Sequence, residues 1–223
     1  FVLPLALKYC EKNNLGLACI IDDIDKCFHD EVRGKKKTWQ KFLVPWYLKK
    51  INQYAENVCY FDSDILFNPY GKNIFDYHDR NYLSIVSQIK GLPFDDFLAK
   101  KIISFSRNKY YSDKYPLNSS IFMSTKEYYE YHGYKPYDDI CCAGLYVANL
   151  NNHYDRLKSI FCKYTNSVDS ITGGGDEPAF NYEVRKIFKT KNIPYEFQGL
   201  WNYEMAWRLS LIHISEPTRL GAI

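Results

Sequence analysis

Short apolar runs alternate along the chain with stretches whose apolar residues recur at helical spacing, and Asn, Gly or Asp residues separate them. Leu5 to Asn13 reads as a short helix stopped by Asn13-Asn14 and Gly16. Leu17-Ala18-Cys19-Ile20-Ile21 then reads as a buried strand ending on Asp22 and Asp23. From Thr38 the positions Trp39, Phe42, Leu43, Trp46, Ile51 and Tyr54 follow a helical period, and Pro45 is expected to kink or restart that helix. Asn57 to Phe61 opens a continuous apolar and aromatic run, predicted as a strand buried on both faces at the centre of a sheet, and it ends on Asp62-Ser63-Asp64. Leu83–Val86 and Gly144–Ala148 are further strands. Tyr154–Tyr164 and Glu177–Phe188 are helices, the second opened by Gly173-Gly174-Gly175-Asp176. Residues 94–135 are rich in Tyr and show no clear period. Strands interleaved with helices predict an α/β layered fold with a mostly parallel sheet.

At 46% hydrophobic and 25% charged, the 223-residue chain has the composition of a globular domain, which excludes a disordered or collagen-like chain. No repeat of fixed period supports a solenoid. No apolar run approaches the roughly 18 residues of a membrane-spanning helix. The net charge of +3, from 29 basic and 26 acidic side chains, is too small an excess to predict a polyanion-binding surface, so nucleic acid is not an expected partner. Arg33, Lys35, Lys36, Lys37, Lys41, Lys49 and Lys50 lie between Val32 and Ala55 with no acidic residue among them, a pattern of a solvated helix face or of a surface that meets an anion. The 7 cysteines form no CxxC pair and lie near no His at zinc-binding spacing, so reduced and mostly buried thiols are expected.

Both ends affect the fold reading. The chain begins at Phe1 without Met, which predicts a fragment. Ser210-Leu211-Ile212-His213-Ile214-Ser215-Glu216-Pro217-Thr218-Arg219 reads like a translated sequencing adapter, and the Lys-, Tyr- and Asn-rich texture stops just before it. One domain over 1–208 and a non-native tail over 209–223 are therefore expected, with His213 left out of any site.

The chemistry concentrates at Asp62-Ser63-Asp64. In open α/β sheets ligands sit outside the carboxyl ends of strands. Residues two apart in an extended segment point the same way, so both carboxylates can converge on one object. Like charges held together are costly unless a cation joins them. Mg²⁺ or Mn²⁺ takes one or two carboxylates and fills its other positions with water and phosphate oxygens, which suits a diphosphate substrate. The plain structural alternative is a turn capped by Asp62 or Ser63.

Tyr60-Phe61-Asp62-Ser63-Asp64-Ile65-Leu66 resembles the metal-binding strand end of nucleotide-sugar-dependent glycosyltransferases with the GT-A fold, particularly family 8. Other segments resemble that family in order. Leu3-Pro4-Leu5-Ala6 is similar to its first helix, which implies that the first nucleotide-binding strand precedes Phe1. Lys41, in Trp39-Gln40-Lys41-Phe42-Leu43-Val44-Pro45, falls where the family carries a donor-binding Arg; Lys keeps the charge and loses the bidentate geometry. Cys142-Ala143-Gly144-Leu145-Tyr146-Val147-Ala148-Asn149-Leu150 resembles its Asn-Ala-Gly strand, with Cys142 in place of Asn. Asp176-Glu177-Pro178-Ala179-Phe180-Asn181 resembles its Asp-Gln-Asp-Ala-Leu-Asn segment, although Asp176 could equally serve as a plain N-cap. Trp201-Asn202-Tyr203 resembles the Trp-Asn pair after its last core strand.

The resemblance implies a GT-A-like, Rossmann-type layered sandwich, truncated at both ends. The implied activity is metal-dependent transfer of a sugar from a nucleoside-diphosphate sugar, a UDP-sugar, to a glycan or other hydroxyl acceptor, with retention. It implies Asp62 and Asp64 as ligands of Mn²⁺ or Mg²⁺. Lys41, Asp62, Ser63, Ala143 and Gly144 would contact the donor, and Asp176 would be the catalytic residue that orients the sugar. The implied location is cytoplasmic or at a membrane surface. Two other classes compete. A haloacid dehalogenase-type phosphohydrolase would use Asp62 as nucleophile and Asp64 as general acid, but its Gly-Thr continuation is replaced by Ile65-Leu66. A non-catalytic carbohydrate-binding domain would use the 21 Tyr, 14 Phe and 4 Trp as stacking surface.

Overall fold

The structure, a computed structural model, describes residues 2–21, 23–29, 33, 35–53, 55–63, 65, 67–88, 90, 124–165, 175–194 and 197. The predicted boundary at 208/209, the tail, Asp64 and Trp201-Asn202-Tyr203 lie outside them. In chain order the described elements are α1 (Val2–Lys12), α2 (Val44–Lys50), β1 (Asn57–Phe61), β2 (Leu83–Ser87), α3 (Thr125–Tyr131), β3 (Cys141–Asn149), α4 (Leu150–Lys163), α5 (Glu177–Ile187) and β4 (Thr190–Asn192). Short 3₁₀ helices occupy Ile24–Cys27, Lys37–Leu43 and Ile74–Tyr77. The chain divides into two compact units, Phe1–Val86 with Cys141–Pro194, and Ser87–Ile140 with Tyr195–Ile223.

In the first unit the strands run in the order β1-β3-β2-β4. β1 pairs antiparallel with β3, Tyr60 opposite Tyr146 and Phe61 opposite Leu145, while β2 and β4 are parallel. The α/β class is as expected, but the sheet is mixed and mostly antiparallel rather than mostly parallel. A run without a polar face records only that both faces are covered, and helices can cover a strand whichever way its neighbours point. The doubly covered strands are also not the expected one. β2 is buried at every residue and β3 at every residue except Cys142, whereas β1 is half-buried throughout and stands at one end of the described strand order. The strand expected at Leu17–Ile21 is irregular chain: none of its residues is buried, and Ile21 is 90% exposed. It has no strand partner among the described residues, and only part of its apolar run is covered, with Ile20 packed against the core.

The helix expected from Thr38 divides at the proline. A 3₁₀ segment carries Trp39, Phe42 and Leu43 into the core, and α2 restarts with Pro45 in its first turn, where a missing N–H costs nothing. α4 buries Leu150, His153, Leu157, Ile160 and Phe161, an i, i+3, i+7, i+10, i+11 stripe, and Asn149 caps it by accepting from the N–H groups of Asn151 and Asn152. Trp39, Phe42, Tyr146, Phe161 and Phe180 form the aromatic centre of this core. α1 is tied down by Tyr9, whose hydroxyl donates to Lys72 O at 2.8 Å and accepts from Ile74 N at 2.9 Å.

In the second unit α3 opens on a capping box between Ser124 and Glu127. Tyr129 donates to Asp139 O at 2.8 Å, and Ser87 donates to the Asp139 carboxylate at 2.5 Å. The cysteines form no disulfide, and Cys10 and Cys141 are buried, but Cys19, Cys27 and Cys162 are exposed, so the expectation of mostly buried thiols fails. Of the basic run, Lys35 and Lys41 are buried, against the solvated-face pattern that Lys36, Lys37, Lys49 and Lys50 follow. Among the described residues no helix is long and apolar enough to cross a membrane.

Candidate functional site

Beyond the last residue of β1, Asp62 N donates to Gly144 O at 2.8 Å, so the chain stays beside β3 for one more residue and Asp62 arrives next to Ala143 and Gly144. Ile65 N then donates to Asp62 O at 3.1 Å, which turns the chain away and leaves Ser63 exposed in the turn. Tyr60 and Asp62, two apart along an extended segment, face the same way. The Tyr60 hydroxyl donates to Asp62 Oδ1 at 2.5 Å.

Lys41 reaches the same place from the 3₁₀ segment. Its ammonium donates to Ala143 O at 2.8 Å and lies 2.9 Å from Asp176 Oδ2 and 3.7 Å from Asp62 Oδ1. The Tyr60 ring centroid is 5.6 Å away, within cation–π range. Lys41 is 3% exposed and Asp176 5%, while the Asp62 side chain is 35% exposed. Burial alone pushes the Lys41 ammonium toward its neutral form, but the charges of Asp176 and then Asp62 outweigh it and hold its pKa above the ordinary lysine value. With one cation against two carboxylates, the three side chains carry net −1, and the excess sits on the solvent-facing Asp62.

Asp176 stands at the N-cap position of α5, yet its backbone is already helical and its side chain caps nothing. The carboxylate turns to Lys41 instead, and Oδ2 has no hydrogen-bond partner besides this ion pair among the described residues. Asn181, one turn into α5, fixes the helix to the sheet. Its Oδ1 accepts from Cys141 N at 2.7 Å, and its Nδ2 donates to Cys141 O at 2.8 Å and Glu177 O at 3.0 Å. This residue from the resembling motif therefore works as a frame between α5 and β3. Burial pushes the Cys142 thiol up to about 12, so this side chain is a neutral thiol.

The structure thus brings Lys41, Asp62, Ala143, Gly144 and Asp176 together, with Ser63 at the rim. Two members carried no sequence signal beyond aromaticity. Tyr146, directly opposite Tyr60, stacks on it with ring centroids 5.3 Å apart and donates to Lys41 O at 2.6 Å. Only the strand register, in which Tyr60 faces Tyr146, could have found this pair.

For a divalent cation the relevant atom is Asp62 Oδ2. Tyr60 and Lys41 both contact Oδ1, and no described residue bonds Oδ2. One carboxylate oxygen open to solvent fits a hard ion that completes its shell with water and phosphate oxygens. Asp176 is committed to Lys41. Among the described residues no group of three or more His, Cys, Asp and Glu side chains converges as a closed metal cage.

Comparison with protein-family models, curated proteins and solved structures finds no match. Geometry and chemistry are what bear on function.

Proposed function

We propose that this chain transfers a sugar from a nucleoside-diphosphate sugar, a UDP-sugar, to a hydroxyl acceptor with the help of Mn²⁺ or Mg²⁺, in a GT-A-like domain. One observation supports the reading above the others: Lys41, Asp62, Ala143-Gly144 and Asp176 come from four separated segments and meet around one ammonium. These are the segments in which the sequence resembles a donor-sugar site.

In such a transfer the sugar gains oxocarbenium character while negative charge grows on the leaving diphosphate. Asp62, through Oδ2, and Asp64 would hold the cation. The bound ion supplies a Lewis-acid charge for the leaving group. Asp176, gripped by Lys41 through Oδ2, keeps Oδ1 to accept from a sugar hydroxyl. Ala143 and Gly144 have no bulk to keep the sugar from the backbone. Lys41, inside the protein, holds Asp176 in place and sets positive charge behind Asp62. Retention of configuration, as the resemblance implies, belongs to this reading.

The test measures UDP-sugar turnover with Mn²⁺, with Asp62→Asn, Asp64→Asn and a phosphomonoester as the other arms. Metal-dependent turnover lost in both variants is expected. Wild-type protein that neither turns over nor binds any UDP-sugar with Mn²⁺ overturns the proposal, and turnover of the phosphomonoester alone would favour the phosphohydrolase.

A further inference from the structure

Asp62, Lys41, Tyr146 and Tyr60 close a circuit. Tyr60 donates to Asp62 Oδ1 at 2.5 Å, the Lys41 ammonium is 3.7 Å from that same oxygen, Tyr146 donates to Lys41 O at 2.6 Å, and the two tyrosine rings stack at 5.3 Å. Tyr146 is fully buried, so the Tyr60 ring rests on a fixed platform. The backbone of Asp62 is pinned as well, by its N–H on Gly144 O and its carbonyl under Ile65 N. With the backbone fixed, the Tyr60 hydroxyl orients the side chain by holding Oδ1.

We propose that Tyr60 is the positioning residue of the cation site: by occupying Oδ1 it makes Asp62 a single-oxygen ligand that offers Oδ2 alone. The inference rests on the metal-dependent reading above. Its consequence is selectivity between cations. A small ion with near-octahedral demands is served by one oxygen in a fixed direction, whereas Ca²⁺ accepts more oxygens and takes carboxylates in bidentate fashion. With one lone pair of Oδ1 taken by a phenol and the carboxylate turned to meet it, bidentate binding through Asp62 is disfavoured, and Mn²⁺ and Mg²⁺ are favoured over Ca²⁺. Freeing Oδ1 loosens the ligand for the small ions and opens the bidentate mode for the large one.

The experiment titrates Mn²⁺ and Ca²⁺ into the full chain with UDP present, by calorimetry, for wild type, Tyr60→Phe and Asp62→Asn. Tyr60→Phe keeps the ring on Tyr146 and deletes only the hydroxyl. Expected is a loss of Mn²⁺ affinity of about tenfold or more, as for other groups that orient a metal ligand, with a smaller change for Ca²⁺, so that the Mn²⁺/Ca²⁺ ratio narrows. A hydroxyl that merely supported the fold would weaken both ions alike. Equal Mn²⁺ affinity, or an unchanged ratio, in Tyr60→Phe while Asp62→Asn abolishes binding overturns the role of Tyr60 and leaves the metal reading standing. Wild-type protein that binds neither ion overturns both. Because a variant can fail to fold, the near-ultraviolet tyrosine spectrum of the wild type is followed as Mn²⁺ is added: a saturable change is expected, and binding without any spectral change counts against the proposal.

Discussion

Lys41→Met removes the one cation at the centre of the site and keeps most of the side-chain volume. At 2.9 Å from Asp176, the Coulomb attraction is about 6 kcal/mol if the effective dielectric constant is about 20. Most of that offsets the desolvation of two buried groups, and the cost of breaking such a pair from one side is about 3–5 kcal/mol, because the other charge stays behind. Asp176, 5% exposed, is that charge, and Ala143 O loses its donor as well. Asp62 adds little, since its half-open side chain is screened by water. We expect Lys41→Met to lower unfolding stability by about 3–5 kcal/mol at neutral pH, and the double variant Lys41→Met/Asp176→Asn to regain more than half, since no buried charge is then unpaired. The sign with pH follows from the raised pKa of Lys41. Its contribution is fully present below the ordinary lysine value of 10.5 and is lost as the pH climbs through the higher folded value, so the gap between wild type and Lys41→Met narrows in strong alkali. Urea unfolding followed by circular dichroism reads all three. A single variant that costs under about 1 kcal/mol, or a double variant no better than the single, refutes the buried pair as a determinant of this structure.

Asn181→Ala should cost about 2–4 kcal/mol in the same unfolding assay, because it removes the buried hydrogen bonds that Asn181 makes with Cys141 N and Cys141 O; a loss below about 1 kcal/mol would remove the frame role. His153 is 3% exposed and accepts from Asn149 N at 3.0 Å, and burial, with His78 and Arg156 adding to it, lowers its pKa from 6.5 to about 4. The unfolded chain therefore binds the extra proton between those values, and stability should fall by up to about 3 kcal/mol as the pH drops through that window. The acid slope should flatten in His153→Gln, and an identical slope in the variant counts against a buried neutral imidazole.

The elements that periodicity located best are those whose burial pattern is set by one neighbour layer. α4 and α5 lie within a few residues of their predicted spans: α4 presents an apolar stripe and opens on the Asn149 cap, and α5 opens at Asp176 with Pro178 in its first turn. Sheet direction was not legible. β3 reads as a run of small and apolar residues whether its neighbours are parallel or antiparallel, and only the path of the intervening chain decides that. The Leu17–Ile21 run failed for a related reason: apolarity makes a segment fit to be a strand, but a ladder needs a partner to supply its hydrogen bonds.

At the site, the carboxylates were legible because an acidic residue that ends an apolar strand stands out from its surroundings. The position of Lys41 was not. In an α-helix, with about 3.6 residues per turn, position 41 lies nearly opposite the stripe of Trp39, Phe42, Leu43 and Trp46, which places its ammonium in solvent, free to meet an anion. The segment is instead 3₁₀ over Lys37–Leu43. With about three residues per turn, Trp39 and Phe42 share one face while Lys41 and Leu43 take the other two. All four are buried, so this turn is surrounded rather than laid along a surface. Once the tighter winding carries Lys41 inward, its charge needs buried partners, and Asp176, free of any capping duty, is within reach. The switch from α to 3₁₀ geometry ahead of Pro45 thereby turns a basic residue of an apparently solvated run into the electrostatic centre of the candidate site.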